Sequence, residues 1–516
     1  MTNSSPPGDN PWSGTPHRRQ YLIAPQQVRV PSGLSLSIHA MAGYHIYVGA
    51  DLSLSTAVHG DTHIALLGEA IDAARPDRDN GAIADSLAHC TDAADLQACA
   101  FRLAGRFVVF ARIQGHDICF ADACGFRRLY YGRIAERLIA TSSPRLYFDI
   151  LGAPVEIDAE TKKLMASQLF QTSEWAWYGA SYFDPRLKIL LPNHGLDLAS
   201  GRASRLTRTI VPDSMPIDEL VERAAKVLRG TFDGLQRRFR LTQAITAGWD
   251  SRLLLAASLP WKSDIDYFVF DEPRGRSIGM DARVALALGK RSDIVVARVE
   301  RPDLDPAFVA AYDRNWVLPR HISTLRNIQY LARLPAADLP RLNVNGNAGE
   351  IGRCFFGAYG GPVWADMLLR YSGYGHESPV IERAIREWLA DARAFARQQR
   401  ISILDLFYWE QRMGNWGALG TAEMDIAIEQ ISPYDNGELL GLMLAAPASL
   451  RKGPRYQLFE RICRVLAPEL VEEPINPDDS RLMSRIRANA GLRYVTQAAQ
   501  QTLRGLLSRS RAAREP

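Results

Sequence analysis

Over the first two hundred positions, apolar and polar residues alternate in short runs. Arg106–Ile113 (RFVVFARI), Asp117–Ala123, Arg128–Ile134 and Arg137–Ser142 are β-rich and separated by Gly, Asp or Glu. That spacing predicts an antiparallel meander, interrupted by a helical stretch over Gly81–Leu103. The pattern changes near residue 216. Ile217–Arg238 sets Leu220, Ala224, Val227, Leu228, Phe232 and Leu235 close to a 3.6-residue period, predicting a long amphipathic helix. Strand then alternates with helix to about residue 300, which predicts a parallel sheet. Beyond about residue 305 helical patterns dominate. The Pro-containing stretch Val211–Pro216 is the best boundary. The expected organisation is a disordered lead over 1–20, an antiparallel sheet/helix domain over 21–210, a parallel-sheet domain with a helical C-terminal part over 216–480, and a helical tail over 481–516.

Composition adds bounds. With 516 residues, 47% hydrophobic and 23% charged, the chain has enough apolar material for a large core without disulfides. Its six cysteines, Cys90, Cys99, Cys119, Cys124, Cys354 and Cys463, form no CxxC pair and no zinc-spaced cluster. Scattered core thiols in a reduced, cytoplasmic protein are expected. No apolar run approaches the roughly 18 residues of a membrane span, and the polar, proline-rich Met1–Pro16 lacks the apolar core of a secretory signal. The net charge of +4 is uneven: Arg481–Pro516 carries eight arginines against Glu515 alone, a local +7 that leaves −3 for the rest. Such a tail offers a contact to a partner. No nucleic-acid partner is expected, because no aromatic interleaving or nucleic-acid motif accompanies it.

The candidate chemistry centres on one turn. Leu241–Ile245 reads as a strand, Arg252–Leu259 as a helix, and between them lies Thr246-Ala247-Gly248-Trp249-Asp250-Ser251. A strand turning sharply into a helix leaves backbone N–H groups unpaired at the positive end of the helix dipole. Small residues let an anion approach them. Thr246 and Ser251 add hydroxyl donors, and Asp250 is placed to hold magnesium. A Gly-Trp turn with Asp250 and Ser251 capping the helix is the alternative reading of the same hexapeptide.

The hexapeptide resembles the SGGxDS loop of PP-loop ATP pyrophosphatases, and within them asparagine synthetase. Thr246 stands for Ser and Ala247 for the first Gly. Further matches follow in family order. Tyr267–Phe270 resembles the strand that reads the nucleotide, and Asp281–Gly289 the acid-opened helix after it. Asn345–Gly352 is similar to the GEGxDE turn. Arg412-Met413 matches the DRMSMA helix, and Glu429–Asn436 resembles ExRxPFLD. Upstream, Leu67–Ala70, Leu103–Phe107 and Asp122–Tyr131 resemble segments of class II glutamine amidotransferases. The similarity covers about residues 40–475.

The resemblance implies an Ntn-type antiparallel domain followed by an adenine-nucleotide α-hydrolase-like domain that uses ATP and Mg2+. Asp250 and Glu350 are implied as metal and catalytic residues. Thr246, Gly248 and Ser251 are implied around phosphate, with Val269 and Gly346 near the nucleoside. It also implies no glutaminase: the family uses an N-terminal cysteine, whereas position 2 is Thr2 and the first cysteine is Cys90. The glutamate that assists amine attack aligns with Asn347, and the arginine of ExRxPFLD with Ile431. Arg451, Lys452 and Arg455 stand near the place of a phosphate-contacting lysine. Three readings follow. The first is a carbon–nitrogen ligase joining small-molecule or peptide carboxylates to amines through an acyl-adenylate, as in lasso-peptide cyclases. The second is a degenerate nucleotide- or partner-binding scaffold. The third is an ammonia-dependent asparagine synthetase.

Overall fold

The computed structural model describes residues 16–272, 277–316, 322–478, 480, 486, 489–497 and 499. Positions 1–15 of the expected lead and most of the Arg-rich tail lie outside the described residues. Residues 16–20, counted in the lead by the sequence, belong to the folded body. His17 is fully buried, and its N–H donates to Asn315 Oδ1 at 2.8 Å across 298 positions of chain. The described part of the tail also docks: the Arg493 guanidinium lies 5.0 Å from the Phe355 ring centre and 5.2 Å from that of Phe356.

The fold is mixed α/β, with antiparallel sheets first and a parallel sheet later. One six-stranded sheet runs Leu187–Ile189, Tyr130–Ile134, Arg137–Thr141, Tyr21–Ala24, Tyr44–Gly49, Leu36–Met41 from edge to edge. A second runs Arg202–Arg205, His194–Asp197, His116–Ala121, Ala104–Ile113, Thr62–Ile71, Leu54–His59. Every pairing within them is antiparallel. The two-residue period of a strand sorts side chains between faces. Tyr21 and Ile23 enter the core between the sheets beside Leu67, Val108 and Phe110, while Leu22 and Ala24 face the opposite way. The outer face of the second sheet is covered by helices Asn80–Ala88 and Ala93–Phe101, through Ile83, Leu87 and Leu96. The helical stretch expected over Gly81–Leu103 is built as these two helices. Asp92 divides them by accepting hydrogen bonds from Ala94 N and Asp95 N as an N-cap.

The later sheet has five strands in the order Val296–Val299, Ile265–Phe270, Arg240–Ala244, Arg341–Val344, Glu429–Ile431, with all four pairings parallel. Helix Ile217–Arg238 buries Leu220, Ala224, Leu228, Phe232 and Leu235, the stripe expected from its period. The last two strands fall in the region that reads as helical. At four and three residues they are too short to impose a period on the sequence.

Buried ions join the two parts. Arg106, 1% exposed, forms a two-pronged pair with Asp425 at 2.6 and 3.0 Å. Arg127 Nη2 donates to both Glu429 oxygens at 2.8 Å. Among the described residues no helix is long and apolar enough to cross a membrane.

Candidate functional site

The strand order of the parallel sheet reverses at its centre. After Arg240–Ala244 the chain adds two strands on one side, then places Arg341–Val344 and Glu429–Ile431 on the other. In open parallel sheets ligands bind outside the carboxyl ends of the strands at such a switch point. The loops leaving the two central strands begin at Ile245 and Asn345, and they meet. A Cβ at Gly346 would lie 3.0 Å from the Asp250 Cβ, and one at Gly349 would lie 2.6 Å from Asp250 Oδ1. With Asp250 in place, only glycine fits at 349. The fold therefore gathers Thr246, Gly248, Asp250, Ser251, Gly346 and Glu350 at the same end of the sheet.

Gly248 opens helix Trp249–Ser258 with no side-chain cap among the described residues, an arrangement that suits an anion at the positive end of the first turn. The capping alternative for Asp250 and Ser251 is not what forms. Instead, Ser251 Oγ accepts from Thr246 N at 2.9 Å and lies 2.8 Å from Thr246 Oγ1. The two hydroxyls expected to face phosphate hold each other and fix the loop. Ala247 N donates to Asp281 Oδ1 at 2.8 Å, so the acid that opens helix Met280–Ser292 braces the loop from behind. Ala247, in place of a glycine, has no positive φ. The left-handed position is Ala348, at φ +74°, a conformation that costs a non-glycine residue about 1 kcal/mol or more.

Asp250 and Glu350 share a cation that the sequence reading missed. The Arg353 guanidinium pairs with Asp250 Oδ2 and lies 3.9 Å from Glu350 Oε1. Burial raises the Asp250 carboxyl, with Arg353 opposing the rise. Glu350 is pushed up to about 7, by burial first and by the Asp250 charge second. The Tyr434 hydroxyl donates to Asp250 O at 2.9 Å. Three atoms of the cluster are buried with no hydrogen-bond partner among the described residues: Asp250 Oδ1, Glu350 Oε2 and Arg353 Nε. The two oxygens, with a hard carboxylate chemistry, fit a divalent cation. One signal in the sequence points to Arg353. It stands three residues after Glu350 on the short turn Gly349–Arg353, where side chains at i and i+3 eclipse.

Val269 is 1% exposed and packs into the hydrophobic core, leaving no side-chain surface to a nucleoside. Arg451 pairs with Asp405 at 2.9 Å, and Arg412 pairs with Glu174. Asn347 lies in the turn, where its carbonyl accepts from Ser432 Oγ at 2.5 Å. Cys124 is fully buried, its thiol held well above the usual range by burial and by Asp435. Replacing Cys124 by Ser should leave nucleotide binding and turnover within about twofold, at a cost of about 1 kcal/mol for a buried hydroxyl. Paired calorimetry and melting curves check both.

No family model and no curated protein matches the chain. Solved structures similar to it include the glutamine phosphoribosylpyrophosphate amidotransferase from B. subtilis complexed with ADP and GMP, at 11% identity over 72% of this chain and 73% of that one, with a TM-score of 0.22. The allosteric regulatory enzyme of purine biosynthesis aligns at 12% identity over 63% and 68%, with a TM-score of 0.22. The glutamine-dependent NAD+ synthetase from Acinetobacter baumannii, in complex with ADP, aligns at 10% over 57% and 78%, with a TM-score of 0.21. At these scores the superpositions carry no argument about the site.

Proposed function

We propose that the protein is an ATP-dependent, amide-bond-forming ligase of the asparagine-synthetase-like type, without glutaminase activity. The reading rests on one observation. Two carboxylates, Asp250 and Glu350, each with a buried oxygen unpartnered among the described residues, share Arg353 beside a helix start with no side-chain cap among those residues, at the switch point of a parallel sheet. In this reading residues 21–210 are a degenerate amidotransferase-like domain and 216–480 the ATP-using PP-loop domain.

The triphosphate lies against the first turn of Trp249–Ser258, where backbone N–H groups and the helix dipole favour it. Magnesium, when bound to Asp250 and Glu350, supplies charge neutralisation on the departing pyrophosphate. A substrate carboxylate oxygen attacks the α-phosphorus, forming an acyl–phosphate bond as the bond to pyrophosphate breaks. An amine then attacks the acyl carbon and AMP leaves. Asn347 can orient that amine by hydrogen bonding but takes no proton from it, so the proton passes to solvent.

A second reading, the catalytically silent scaffold, draws on the Arg353–Asp250 pair, which already neutralises one acid. Calorimetric titration of Mg-ATP, followed by assay of AMP and pyrophosphate with panels of acids and amines, separates the two. Binding with acid-dependent pyrophosphate release supports the ligase. No binding at millimolar Mg-ATP leaves the scaffold.

A further inference from the structure

Arg353 carries more than a structural role. The salt bridge it makes with Asp250 is an incomplete neutralisation on both sides. Among the described residues each carboxylate of the pair keeps a buried oxygen with no donor, while the guanidinium keeps a buried Nε–H with no acceptor. Unmade hydrogen bonds of buried groups are costly, and so are rarely left without a purpose. A cation alone would satisfy the oxygens but would be repelled by the guanidinium between them. An anion alone would satisfy Nε–H but would face two acids. A metal ion already joined to a phosphate chain satisfies all three atoms at once.

The guanidinium is also held where it can serve both states. Its carbon lies 5.2 Å from the Tyr456 ring centre and 5.8 Å from that of Phe459. Those ring faces support a cation without consuming its hydrogen-bond donors. Arginine suits this better than lysine, because its planar fork can grip a carboxylate on one edge and a phosphate on another.

We infer that Arg353 couples the two halves of the ligand: the site takes a divalent metal and a polyphosphate as one unit and takes either poorly alone. The inference rests on the metal and phosphate assignment proposed above and adds the residue that makes their binding interdependent. By linkage the effect is reciprocal, so that pyrophosphate tightens the metal as much as the metal tightens pyrophosphate.

The test measures free Mn2+ by electron paramagnetic resonance, on the full chain, with and without inorganic pyrophosphate. Binding is counted after subtraction of the Mn–pyrophosphate complex formed in protein-free buffer. Wild type should bind Mn2+ weakly alone and at least about tenfold more tightly with pyrophosphate. Arg353→Gln should bind Mn2+ alone at least about tenfold more tightly than wild type, with the pyrophosphate enhancement lost. Arg353→Lys, which keeps the charge but loses the fork, should still exclude the free metal while coupling less. Equal Mn2+ affinity in wild type and Arg353→Gln overturns the inference, as does wild-type binding that pyrophosphate leaves unchanged. Should Arg353→Gln fail to fold, Arg353→Lys decides: a pyrophosphate enhancement equal to that of wild type overturns the inference. Coupled Mn2+–pyrophosphate binding with no affinity for ATP would sink the ligase reading and leave this inference standing.

Discussion

Asp250→Asn should lower pyrophosphate release at least about 100-fold while leaving the melting temperature within a few degrees of wild type. The size follows from the place of the charge. A preorganised group that meets developing negative charge through a metal contributes on the order of 10²–10³ in rate when lost. The intact fold follows from the isosteric exchange. Asparagine keeps an oxygen for Arg353 and fits the same gap beside Gly349, where a Cβ would come within 2.6 Å of the Asp250 oxygen. Tyr434 is unaffected, since it bonds the backbone carbonyl at 250. Turnover by Asp250→Asn at the wild-type rate would remove Asp250 from the chemistry.

Arg106→Leu should destabilise the protein by about 3–5 kcal/mol, the usual consequence of stripping one partner from a fully buried ion pair. The variant leaves Asp425, 3% exposed, with Arg127 at 3.6 Å as its nearest remaining ion-pair partner. Arg127 is already engaged by both oxygens of Glu429. The loss should be read by denaturant unfolding monitored at tryptophan. Neutralising both partners together, Arg106→Met with Asp425→Leu, should recover much of it, because no unpaired charge then remains inside. A single variant as stable as wild type would mean that the junction between the antiparallel sheets and the parallel sheet is not held by this pair. The expected reporter is broad, since the pair joins residues 319 positions apart.

Local signals were enough to locate the loop. A strand, a run of small residues and a helix start are properties of neighbouring positions, and Thr246–Ser251 stands at the end of Arg240–Ala244 and the start of Trp249–Ser258. The long helix Ile217–Arg238 was legible for the same reason: its apolar stripe is written at one period over 22 residues. Short strands were not. Arg341–Val344 is a strand because Arg240–Ala244 offers it a parallel edge, residue by residue from Arg240 to Gln243. Where the helical stretch divides, at His89–Asp92, is set by the Asp92 side chain capping the second helix.

By itself the sequence determined the strand–turn–helix at Thr246–Ser251, the long helix Ile217–Arg238, the change from antiparallel to parallel pairing, and the identity of the acids offered at the loop. Only the tertiary structure decided what those acids meet. That Arg353 lies between Asp250 and Glu350 depends on two strands, a hundred residues apart in the chain, lying side by side with their loops at the same end. That Thr246 and Ser251 turn to each other, and that Val269 belongs to the core, are choices among orientations that period and composition leave equal. Hydrophobic period and turn chemistry act over a few residues, whereas the partner of a buried charge is set by how the whole chain packs around it.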